Sequence, residues 1–107
     1  MGPDDDGLAV HYSAVTKGTP VLSADGAEIG TIERVLDNYR EHILDGFVVT
    51  TKAGLRFVDG PEVQRTAERA VTLAIDAAEA AALPEPTAEQ LGGIKRATKR
   101  FGRLFGG

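Results

Sequence analysis

A chain of 107 residues with no cysteine has neither a disulfide framework nor a thiolate metal site, so one modest apolar core must hold it together. Its formal charge of −4 conceals a division: residues 94–107 contain five bases and no acid, which leaves −9 on residues 1–93. No apolar run approaches the roughly 18 residues of a spanning helix, and Met1-Gly2-Pro3-Asp4-Asp5-Asp6 has neither the basic nor the apolar part of a secretory leader, so a cytoplasmic setting is expected.

Residues 1–14 are acidic and lack sustained periodicity, which predicts a disordered tail. Asp4-Asp5-Asp6 lacks the alternating ligands and the glycine of a calcium loop, and reads as a solvated charge run. Short β-prone segments begin after Val15. The first is expected over 19–23, with Pro20 tolerable near a strand start. Asp25-Gly26 then predicts a two-residue type I′ turn, because both central residues need positive φ and glycine takes it freely. In the second strand, 27–36, the apolar residues Ile29, Ile32 and Val35 are three apart. A flat strand would send them to alternating faces, so a bulge or coil at Gly30 is expected to reset the phase. Three-residue spacing also suits a helix, but the preceding turn and the β-branched content favour a strand.

The polar loop 37–42 leads to a third strand, 43–51, and Lys52-Ala53-Gly54 turns the chain into a short fourth strand, 55–58. Asp59-Gly60-Pro61 breaks it, a single turn follows at Glu62-Val63, and a weak fifth strand is expected near 64–67. In the sixth, Val71, Leu73 and Ile75 alternate with Ala70, Thr72 and Ala74. Six short strands spaced by turn signals predict an all-β fold, a small β-barrel over 15–83. Asp76 and Glu79 have the spacing of a capping box, opening a short helix that Pro84-Glu85-Pro86 stops. Residues 84–93 then read as a stiff linker ending in a Gly92-Gly93 hinge, with Thr87 and Gln90 repeating the capping pattern.

Gly18, Val21, the Asp25-Gly26 turn, Ile29-Gly30-Thr31-Ile32, Asp45-Gly46-Phe47-Val48-Val49, Val58 with Pro61 and Val63, and Val71-Thr72-Leu73 together resemble a PRC-barrel domain. This module occurs in the cytoplasmic part of the photosynthetic reaction-centre H subunit and in the second domain of a ribosome maturation factor. The resemblance covers residues 17–73, about half of the chain. It implies a six-stranded barrel that binds other proteins, often as a homodimer, and that has no common catalytic residues; fold alone assigns no function.

No residue pattern points to chemistry. His11 and His42 have no companions at metal-ligand spacing, so no metal and no cofactor are expected. Glu28 and Glu33 have no His, Lys or Tyr spaced for acid–base work, and the glycines do not form a phosphate loop, so no enzymatic activity is expected. In the loop, Asn38, Tyr39, Arg40 and His42 form a candidate protein-interaction surface, because Tyr and Arg combine contact area with directional hydrogen bonding; a plain exposed loop is the alternative.

The sharpest feature is residues 94–107. On a helix, Ile94, Ala97, Phe101, Leu104 and Phe105 share one stripe, flanked by Lys95, Lys99 and Arg103 on one side and by Arg96 and Arg100 on the other. Such a basic amphipathic helix suits an anionic membrane surface, a groove on a partner protein, or its own acidic body. The acidic body and the lack of a stacking platform argue against nucleic acid. The expected function is a non-enzymatic adaptor, peripheral at the inner face of a membrane through this helix. The alternative is an RNA- or ribosome-associated factor.

Overall fold

Six strands carry the fold in the computed structural model, which describes residues 6–38 and 43–92. They are β1 (Pro20–Leu22), β2 (Glu28–Asn38), β3 (Ile43–Thr51), β4 (Gly54–Asp59), β5 (Val63–Thr66) and β6 (Val71–Leu73), followed by two single-turn helices, α1 (Ala77–Ala80) and α2 (Ala88–Gly92). Short 3-10 turns lie at Tyr12–Ala14 and Gly60–Glu62. The strands form one mixed sheet in the order β4-β3-β2-β1-β6-β5. All pairings are antiparallel except β1 with β6, which aligns Val21 with Val71 and Leu22 with Thr72.

This sheet is open in its hydrogen bonding, because β4 and β5 are its two edges. It is nevertheless rolled. In a flat sheet five spacings of about 4.8 Å would hold the edges roughly 24 Å apart. The residues Gly60–Glu62 alone join them, and a link of that length reaches no more than about 14 Å. The edge strands therefore approach each other at one end, around an interior filled by side chains.

Val21, Ile32, Phe47, Val49, Val58, Val71 and Leu73 form the fully buried centre, with Val15, Ala80 and Leu83 closing it. The three-residue spacing on β2 is explained by bulges. Opposite β1, Val21 pairs with Gly30 and Leu22 with Glu28, so Ile29 is an extra residue. Opposite β3, Ile32 pairs with Val49 and Arg34 with Val48, so Glu33 is another. Each extra residue shifts the pleat by one, and Ile29, Ile32 and Val35 all reach the core. The coiled strand also passes very close to β3: a Cβ built on Gly30 would lie 2.0 Å from the Thr50 carbonyl oxygen.

The Asp25-Gly26 pair does not make the expected two-residue turn. The Gly26 amide donates to the Ser23 carbonyl (3.0 Å) and the Ser23 amide to the Ala27 carbonyl (2.8 Å), which encloses a three-residue loop with Gly26 at φ 90°. Ser23 is the reason. Its buried hydroxyl accepts from the Ala27 amide (3.0 Å) and donates to the Asp25 carboxylate, and that local network needs the longer loop.

Within residues 1–14, assigned from sequence to a disordered tail, residues 6–10 instead lie against the end of β5 and the turn that follows it, and Tyr12–Ala14 form a 3-10 turn. The Val10 amide donates to the Thr66 carbonyl (3.0 Å), Glu68 to Leu8 (3.0 Å) and Arg69 to Asp6 (2.8 Å), and Ala9 bridges Ala67. At the opposite edge the Phe57 amide of β4 donates to the Pro84 carbonyl (2.8 Å). Residues 6–10 and Pro84 thus occupy backbone groups at the two sheet edges, at Thr66 of β5 and Phe57 of β4, which are otherwise templates for strand pairing.

Candidate functional site

Two covered faces and a cleft define the surface. On β3 the run Phe47-Val48-Val49 is buried throughout, although alternation sends Phe47 and Val49 to the core and Val48 to the outer face. Val48 shares that outer face with its register neighbours Arg34 and Phe57. Those two side chains, together with Thr87, Glu89 and Gln90 around α2, line an open cleft of about 840 Å³. The segment read from sequence as an extended linker is therefore laid against the sheet. Thr87 and Gln90 fix the start of α2 reciprocally: Gln90 Oε1 accepts from the Thr87 amide (2.8 Å) and Thr87 Oγ1 from the Gln90 amide (3.1 Å). Arg34 Nη1 donates to the Leu91 carbonyl (3.4 Å) near its end.

Charge in this cleft is one-sided. Asp37, Asp45, Asp59 and Glu89 line it against the single guanidinium of Arg34, with Leu36 and Phe57 providing apolar surface. Asp45 is the extra residue of a third bulge, between the pairs Leu36–Gly46 and Asp37–Leu44. Behind the cleft, burial first and the Asp37 carboxylate second raise the Tyr12 phenol above its ordinary value. Sequence reasoning missed these residues because they come from four separate segments. A signal for the site did exist: three consecutive buried-type residues at 47–49 demand cover on both faces of β3.

Two further clusters are structural. Asp6, only 2 % exposed, accepts from Arg65 Nε (2.8 Å) and Nη2 (3.2 Å), and Arg65 Nη2 also reaches the Gly7 carbonyl (2.9 Å). The Arg65 hydrogen bonds hold the Asp6 carboxyl below its ordinary value, against the opposing effect of burial. Asp25 joins the first hairpin to α1 by accepting from the Ala77 amide (3.1 Å), and the Ser23 hydroxyl beside it lowers its pKa. The Asp76–Glu79 capping box starts α1 as expected, each side chain accepting from the other's amide at 2.8 and 3.0 Å.

Of the residues singled out from sequence, His11 accepts from the Ser13 amide through Nδ1 (3.2 Å), which caps the Tyr12–Ala14 turn. Glu33 pairs with Lys17 (3.4 Å) and accepts from the Thr50 hydroxyl (3.1 Å), and Glu28 is exposed at the start of β2. The loop residues Tyr39, Arg40 and His42 lie outside the described residues; Asn38 ends β2, its backbone in register with Ile43. Ile94, Lys95, Arg96, Lys99, Arg100, Phe101, Arg103, Leu104 and Phe105 also lie outside them, beginning two positions after Gly92. Among the described residues no group of three or more His, Cys, Asp or Glu is placed to hold a metal ion, and no helix is long and apolar enough to cross a membrane. No protein-family model matches the chain, and no curated protein is significantly similar to it.

Proposed function

We propose that the protein is a non-enzymatic adaptor of PRC-barrel type, held at the cytoplasmic face of a membrane by residues 94–107. One observation carries the reading: five bases and no acid flank an apolar stripe in this segment, on a chain whose remainder is strongly acidic. At an anionic surface each base contributes about 1 kcal/mol, and burial of Phe101, Leu104, Phe105 and Ile94 adds to this by removing apolar area from water. A helix of a dozen residues is too short to be stable alone in water, so the surface would fold it as it binds. The rolled six-stranded sheet supports the barrel-type assignment, and its filled interior favours partner contact through surface loops. Dimerisation would multiply two weak attachments on one particle.

Vesicle co-sedimentation tests this. The full chain should pellet with anionic but not neutral phosphatidylcholine vesicles, and salt should release it. The variant Phe101→Ser/Leu104→Ser/Phe105→Ser should stay in the supernatant. Equal pelleting of both proteins would remove the segment from the account. Retardation of structured RNA at low salt, with no vesicle binding, would move the assignment to an RNA-associated factor.

A further inference from the structure

We infer that the cleft between the outer face of β2–β4 and α2 is the resting seat of the chain's own residues 94–107, so that the surface-attachment segment is sheathed until something displaces it. This rests on the reading of that segment as an attachment helix and adds how it is held back.

Three observations converge. The first is position. Glu89 and Gln90 of α2 already line the cleft, and Arg34 holds the Leu91 carbonyl beside it. Ile94 follows Gly92 by two residues, a reach of roughly 7 Å. The paired glycines Gly92-Gly93 permit the reversal that brings the following residues back over the cleft.

The second is chemistry. The cleft offers apolar surface from Leu36 and Phe57 among the carboxylates of Asp37, Asp45, Asp59 and Glu89. The segment offers the inverse pattern, an apolar stripe with bases on both flanks. Apolar cover and charge complement therefore fit the same partner.

The third is size. A twelve-residue helix is about 18 Å long. A cleft of about 840 Å³ receives several side chains of one face and leaves the opposite face in water. One stripe cannot face the cleft and a bilayer together, so the two compete. Anionic lipid must displace the segment from these carboxylates, so the apparent affinity for the bilayer is lowered by the fraction of chains in which the segment is unseated.

Uniformly ¹⁵N-labelled full-length protein provides the direct test. In the variant Phe101→Ser/Leu104→Ser the amide signals of Leu36, Phe57 and Glu89 should shift relative to wild type, by an amount independent of protein concentration. Unchanged cleft signals would overturn the proposal. Shifts that grow with concentration would also overturn it, because they assign the seat to the same segment of a second copy.

Vesicles give an independent readout. The variant Asp45→Asn/Glu89→Gln, at two exposed positions, should bind anionic phosphatidylserine vesicles about three- to tenfold more tightly than wild type. The charge-matched control Glu28→Gln/Glu68→Gln, outside the cleft, should change binding less than twofold. Equal gains from both pairs would reduce the effect to net charge and sink the proposal. Cleft shifts without any vesicle binding would keep the seat and reject the membrane reading. Vesicle binding with silent cleft signals would do the reverse.

Discussion

Replacing Gly30 with alanine drives a methyl group into the backbone of β3. The added Cβ would fall 2.0 Å from the Thr50 carbonyl oxygen, whereas real Cβ atoms essentially never approach within 3.0 Å, so β2 and β3 must part locally by about 1 Å. That movement stretches the ladder at the pairs Gly30–Thr51 and Thr31–Thr50. Two weakened backbone hydrogen bonds cost about 1 kcal/mol each, and forcing atoms into a packed region adds about 1 kcal/mol. Alanine recovers about 0.4–1 kcal/mol by restricting the unfolded chain. The net expectation is a loss of about 2–3 kcal/mol, a large share of the stability of a small domain. In urea unfolding the midpoint should fall by about 1–2 M with an unchanged slope. Gly18→Ala separates sterics from backbone strain: its Cβ meets nothing within 4 Å, and only its φ of +93° resists the side chain. That variant should lose about 1–2 kcal/mol. A Gly30→Ala midpoint at or above wild type would refute the close-approach argument, as would a cost smaller than that of Gly18→Ala.

The remaining predictions concern the two ends of the fold. Because the Asp6 pKa is lowered in the folded protein, its contribution is fully present above the ordinary carboxyl value of 3.8 and is lost as pH falls through the lowered one. The difference in melting temperature between wild type and Asp6→Asn should therefore be constant near neutrality and shrink below about pH 4; a difference that does not shrink in acid would dismiss the Arg65 pair as its source. Asp76→Ala leaves the Glu79 amide without its acceptor and should cost about 1 kcal/mol, read as a drop in thermal midpoint. No change in that midpoint would mean that α1 is held by Ala80 and Leu83 alone.

The strand pattern was legible because it rests on local chemistry. Turn residues at Lys52-Ala53-Gly54 and Asp59-Gly60-Pro61 bracket β4, and the bounds of β3 agree with its run of β-prone residues. Even the irregular spacing on β2 could be read, because three apolar residues at intervals of three make sense in a strand only with bulges. What escaped depends on partners distant in sequence. The place of residues 6–10 against β5 needs the Asp6–Arg65 pair, 59 positions apart, and nothing near Asp6 announces it. Pro84-Glu85-Pro86 looks extended whether it is free or docked, so its bond to the β4 edge was invisible, as was the cleft built on it. Ser23 lengthened the first turn by satisfying its own buried hydroxyl, a demand that turn preferences at Asp25-Gly26 do not encode.

The bonds that residues 6–10 and Pro84 make at the two sheet margins set an order of assembly. During synthesis the opening segment emerges first yet has nowhere to settle until β5 has been made, some 55 residues later. β1 likewise waits for its parallel neighbour β6, and the margin of β4 is closed last, when Pro84 arrives. Such delayed, long-range closures slow folding. A chain halted before Pro84 would leave the Phe57 amide at the margin of β4 without that acceptor.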